Sequence, residues 1–93
     1  MNLKLFGGKV PIYTGTTVEL VDFPSKKVFD GFFERSPPEN RDKYWIILKA
    51  RSKGHSLEES GRPYAYSRER VRQIEAKFLR GMTKAFSLAT DSL

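Results

Sequence analysis

Ninety-three residues with a net charge of +6, seventeen Lys and Arg against eleven Asp and Glu, fit one small basic domain with a modest core. The sequence has no cysteine and a single histidine, His55, which excludes a disulfide framework, a thiolate metal site and an imidazole-based metal cluster. No apolar run approaches a membrane span, and "MNLKLFGGKVPIY" lacks the long apolar core and cleavage site of a secretory signal, so the cytoplasm is the expected compartment.

Residues 1–24 carry Lys4 and Lys9 against Glu19 and Asp22 and form a separate stretch in composition. "VPIYTGTTVELVDF" combines β-branched and aromatic residues with a turn signal at Gly15 and alternation at Val18 and Leu20. It reads as an extended arm or short β-hairpin, with Pro11 confining the first piece to an edge strand. Phe6–Gly8 reads as a flexible joint.

Two helices follow. Ser25 is placed to cap the first, whose Val28, Phe29, Phe32 and Phe33 fall on one face. Gly31 weakens it by roughly 1 kcal/mol. Pro37 and Pro38 end it, and Pro38 suits the first turn of the next helix. That helix places Tyr44, Ile47, Leu48 and the stem of Arg51 on one side, with Trp45 beside them. The ring-rich set Phe29, Phe32, Phe33 and Trp45 reads first as core and second as a groove for a protein partner.

"SLEE" at Ser56–Glu59 is a capping box, so a third helix begins at Leu57. Pro63 stops or kinks it near Arg62. Ser67 caps a fourth helix from Arg68 to about Lys84, with Val71, Ile74, Phe78, Leu79 and Met82 inward. Gly81 loosens its last turn, and residues 87–93 form a frayed tail. Residues 51–84 hold nine basic and four acidic side chains, so the charge excess sits on this part and points to a polyanionic partner.

Two caps eleven residues apart, Ser56 and Ser67, leave room for a short helix, a tight turn and a second helix. That is the layout of a helix-turn-helix, whose second helix enters the major groove. Arg68, Glu69, Arg72 and Gln73 share the exposed face at its start. Arginine bonds guanine, glutamate accepts from cytosine and glutamine pairs with adenine, so these four suit base reading. Arg70, Lys77 and Arg80 are placed for phosphates. The bland alternative is a salt-bridged surface helix, in which Glu69–Gln73 and Arg72–Glu75 are spaced to pair.

"SLEESGRPYAYSRERVRQIEAKFLR" resembles region 4 of primary-type bacterial sigma factors, most specifically through "RERVRQIEAK" at residues 68–77. "FFERSPPENRDKYWIILKAR" is similar in layout to the two helices that precede it there. The resemblance covers residues 25–86. It implies a mostly α fold: a small helical domain with a C-terminal helix-turn-helix, here preceded by the arm or hairpin of residues 1–24. It also implies a stand-alone region 4-like transcription regulator of phage or accessory type. Such a protein binds double-stranded promoter DNA at a −35-like element, the flap of the RNA polymerase β subunit, or both, and is nucleoid-associated.

By position, the resemblance sets Arg68, Glu69, Arg72 and Gln73 toward bases. Ser56, Leu57 and Arg70 face backbone phosphates, and Lys77 and Arg80 lie where the family meets DNA or activators. The apolar faces of the first two helices, with Phe29, Phe32, Phe33 and Trp45, meet the polymerase. No cofactor, metal or small-molecule substrate is implied. No nucleophile, phosphate loop or metal set accompanies Glu58, Glu59 and Glu69, so an enzyme is not expected.

Three departures bear on this. Ser60 replaces an apolar core residue, Pro63 lies inside the family's third helix, and Ala65-Tyr66 replace the usual Gly-Val. Ser60, Pro63 and the extra N-terminal segment favour a second reading: an interaction module that mimics region 4 to bind polymerase or another sigma factor without reading DNA. A dimeric repressor is a third reading, although no dimer helix is evident.

Overall fold

A computed structural model describes residues 8–15 and 17–91. Two antiparallel strands, β1 (Lys9–Thr14) and β2 (Thr17–Asp22), precede four helices. These are α1 (Lys26–Phe32), α2 (Pro38–Ser52), α3 (Leu57–Gly61) and α4 (Arg68–Asp91), with a 3₁₀ turn at Arg62–Tyr64 between the last two. The architecture is mostly helical with an N-terminal hairpin. Among the described residues no helix is long and apolar enough to cross a membrane.

The hairpin register pairs Val10 with Val21, Ile12 with Glu19 and Tyr13 with Val18. Gly15 turns the chain at φ 65°, a region that side chains disfavour. Val10 and Ile12 lie on one side of β1 and are fully buried, as is Pro11 between them. Val10 and Ile12 join the cluster of Phe29, Phe33, Tyr44, Leu48, Ile74 and Phe78, so the hairpin shares the core of the helices. The backbone N–H of Gly8 donates to the Ser52 carbonyl at 2.8 Å and fastens the start of β1 to the end of α2. The rest of the joint expected at Phe6–Gly8 lies outside the described residues.

Local chemistry sets the helix ends. The Ser25 hydroxyl accepts the Val28 N–H at 3.3 Å, and Pro38 opens α2. Lys26 bridges Asp30 on its own helix and Asp42 on α2, each at 2.8 Å, which ties α1 to α2. Of the apolar stripe expected on α1, Phe29 and Phe33 are buried and Phe32 is half-buried. Val28 is exposed instead, because a seven-residue helix offers the core only one narrow face.

The capping box at Ser56 forms in both directions. The hydroxyl accepts the Glu59 N–H at 3.0 Å, and the Ser56 N–H donates to the Glu59 carboxylate at 3.1 Å. Pro63 ends the α-helix and leaves the 3₁₀ turn, after which Ala65 adopts φ 57°, ψ 30°. A left-handed alanine costs roughly 1–2 kcal/mol. Next to it Gly61 is required: a Cβ there would lie 2.7 Å from Val71 Cγ2 and 2.8 Å from the Tyr66 carbonyl oxygen.

α4 corrects two expectations. It runs to Asp91, past the end near Lys84 that was expected of it. Gly81 is a packing residue, since a Cβ there would meet the Phe32 ring at 2.8 Å. The inward set is as expected, with Val71, Ile74, Phe78, Leu79 and Met82 all buried. Glu75 joins them at 4 % exposure, a carboxylate at an inward position of the helix.

Candidate functional site

The Ser67 hydroxyl accepts the Arg70 N–H at 3.1 Å and starts α4 sharply. Helical spacing then leaves Arg68, Glu69, Arg72 and Gln73 all exposed at its beginning, while Val71 and Ile74 turn into the core. Within that quartet Arg72 pairs with Glu69, not with Glu75: Nε lies 2.9 Å and Nη2 2.5 Å from the two carboxylate oxygens. The Arg72 guanidinium holds the Glu69 carboxyl below the usual carboxylate range, and Glu69 raises Arg72 in turn. Arg68 stands off Glu58 at 3.9 Å, a loose contact between two well-exposed side chains.

The expected phosphate-facing cations gather on the neighbouring side of α4. Arg70, Lys77 and Arg80 line one pocket of ≈ 210 Å³ with Ser36, Tyr44 and Gln73. None of the three has a carboxylate partner among the described residues. Arg70 donates to the Tyr44 hydroxyl at 2.6 Å and lies over the Tyr44 and Tyr66 rings. Lys77 sits 5.6 Å from the centre of the Phe33 ring. Aromatic faces favour cations without neutralising them, so the pocket keeps its positive potential.

Ser56 and Leu57 are placed differently. Glu59 takes both the hydroxyl and the N–H of Ser56. That backbone N–H is the main reason the Glu59 carboxyl lies below its ordinary range. With Glu58 and Glu59 in its first turn, α3 presents negative charge where a phosphate was expected, and Leu57 is half-buried.

The aromatic set expected to meet polymerase divides. Phe29 and Phe33 are core residues at 0 % and 2 % exposure, out of reach of any partner on the surface. Phe29 packs on Phe33, Trp45 and Phe78, which is why it is drawn in. Phe32 and Trp45 are half-buried. Lys49 covers the Trp45 ring at 5.3 Å. Two apolar residues outside the expected set, Val28 and Ile46, are the exposed ones on α1 and α2.

A second concavity, of ≈ 630 Å³, lies between Tyr13 of β1 and the side of α4 carrying Arg72, Ala76, Leu79, Arg80, Thr83 and Lys84. No linear motif marks it, since it exists only because the hairpin folds back against α4. No family model matches the chain, and neither a curated protein nor a solved structure is significantly similar to it.

Proposed function

We propose that this protein is a region 4-like transcription regulator that binds −35-like duplex DNA through the start of α4. The observation that carries the reading is the division of labour along one helix. Four side chains able to read base edges, Arg68, Glu69, Arg72 and Gln73, stand exposed on the first two turns. Beside them Arg70, Lys77 and Arg80 converge in a pocket lined by no carboxylate. Base contacts specify and phosphate contacts position, and both kinds of group are present in adjoining sectors.

Fluorescence anisotropy with a −35-like duplex and a scrambled duplex tests it. Replacing Arg72 and Gln73 together by alanine should weaken the specific duplex by roughly tenfold or more. The three pocket cations should give a log–log salt slope of about −2.7. Unchanged affinity in the double variant would remove the base-reading claim.

A second reading is favoured by the Glu69–Arg72 pair and by the exposed Val28 and Ile46: an interaction module that mimics region 4 and binds the polymerase β-flap or another sigma factor. Retention of polymerase core together with no duplex binding at low salt selects this reading over the first.

A further inference from the structure

We propose that the groove between β1 and α4 docks an acidic amphipathic helix of a protein partner. Its surface is mostly apolar, and Ala76, Leu79 and Thr83 of α4 line it opposite Tyr13 of β1. Its other edge is cationic. Arg80 and Lys84 are exposed and have no carboxylate partner among the described residues. Glu75 also borders the groove but is turned toward Arg51 and 4 % exposed, so it contributes little repulsion. The α4 residues that line the groove, Arg72 to Lys84, span roughly 18 Å along the helix axis, about three turns of a docked helix. An apolar stripe on such a helix would cover Ala76 and Leu79 while carboxylates on its flank reach Arg80 and Lys84.

The hairpin decides against nucleic acid as the occupant. Lys9, the lysine of the described strands, is salt-bridged to Asp22, and Glu19 is exposed on β2. This wall therefore offers phosphates no free cation. It offers instead apolar surface that continues outward from Tyr13 onto its cross-strand partner Val18 and onto Leu20, at 45 %, 47 % and 49 % exposure. A second copy of the chain is disfavoured by its own net charge of +6.

The test uses the full chain and a fluorescein-labelled, helix-stapled peptide of about fourteen residues, with a leucine stripe and glutamates on its flank. Two controls are a scrambled peptide of equal composition and a single-stranded oligonucleotide. The designed peptide should bind about tenfold tighter than the scrambled one. Its amide shift changes should cluster at Tyr13, Ala76, Leu79 and Thr83. Lys84→Glu and Ala76→Glu should each weaken it severalfold. Lys84 is exposed, so its variant keeps the fold and isolates the rim charge. Equal binding of the scrambled peptide, shifts elsewhere, or an oligonucleotide filling the groove while the peptide does not, would each overturn the proposal. No DNA duplex enters the assay, so its outcome is independent of promoter binding.

Discussion

Arg51 on α2 and Glu75 on α4 face each other inside the protein, 5 % and 4 % exposed, with Nη2 3.3 Å and 3.4 Å from the two carboxylate oxygens. The contacts are long for a charged pair, and Nε of Arg51 finds no partner. Burial pushes the Glu75 carboxyl upward, and the opposing pull of Arg51 does not restore it. The two members are therefore unequal. Arg51→Met strands a buried carboxylate and should cost about 3–5 kcal/mol at neutral pH, shrinking as Glu75 takes up a proton. Glu75→Gln should cost less than Arg51→Met, since burial already works against the charged carboxyl and Arg51 keeps its 2.8 Å bond to the His55 carbonyl. Urea unfolding of both variants at acidic and neutral pH checks this, and equal losses would refute the asymmetry.

The same group sets a pH dependence. Glu75 in the folded chain holds its proton above the ordinary value of 4.5, where the unfolded chain has released it. Folding thus binds a proton in that window, and stability from this group falls as pH rises through it. Glu59 and Glu69 shift the other way and lose their contribution only as pH falls below that value. They are shared by wild type and Glu75→Gln. The stability difference between those two proteins should therefore move in favour of Glu75→Gln as pH rises above about 4.5. A difference that is flat with pH would show that Glu75 titrates normally.

Ser60 and Gly61 are adjacent, both buried, and should respond oppositely to alanine. The Ser60 hydroxyl is enclosed with no hydrogen-bond partner, so Ser60→Ala should stabilise by about 1 kcal/mol. Gly61→Ala drives a methyl to 2.7 Å from Val71 and should cost about 1–3 kcal/mol. Thermal melts of the pair decide it. Two shifts of the same sign would mean the α3–α4 contact is looser than its distances imply.

Much of this was legible from local signals. Proline and serine act on the residues beside them, so the ends of α1, α2 and α3 and the start of α4 followed from Ser25, Pro38, Ser56, Pro63 and Ser67. The helical period gave the inward set of α4 through Met82. What stayed hidden depends on contacts between segments far apart in sequence. Glu75 sits at an inward position but is a carboxylate, and only the arrival of Arg51 from α2 accounts for it. Phe29 and Phe33 read first as core and second as partner surface, and the aromatic cluster that closes over them makes them core. At the candidate site, exposure of Arg68, Glu69, Arg72 and Gln73 followed from period alone. The choice of Glu69 over Glu75 as the partner of Arg72, and the groove beneath Tyr13, did not.

Gly81 and Phe32 form another such long-range contact. Alanine is the better helix former by about 1 kcal/mol, so an isolated α4 would gain from Gly81→Ala. In the folded protein the new methyl would lie 2.8 Å from the Phe32 ring, and the substitution should instead cost about 1–3 kcal/mol. Phe32→Leu in the same chain should recover most of that loss, because the smaller side chain vacates the space. A double-mutant cycle measured by chemical unfolding reads the coupling directly. Additive effects would mean the ring moves aside without resistance.

In the proposed complex, the Glu69–Arg72 pair would govern how α4 meets DNA. Both side chains are 59 % exposed, so water screens the pair and Arg72 can exchange Glu69 for a guanine edge. Glu69→Gln removes the competitor and one negative charge from the face proposed to meet DNA. Non-specific duplex binding should therefore tighten a few-fold at low salt, an effect that fades as ionic strength rises. Specificity should move the other way. Glutamate accepts from cytosine whereas glutamine favours adenine, so the base position under residue 69 should lose its preference by roughly tenfold. Competition binding across duplexes substituted at single positions separates the two effects. Tighter binding with the base preferences intact would mean that Glu69 only restrains Arg72 and reads nothing itself.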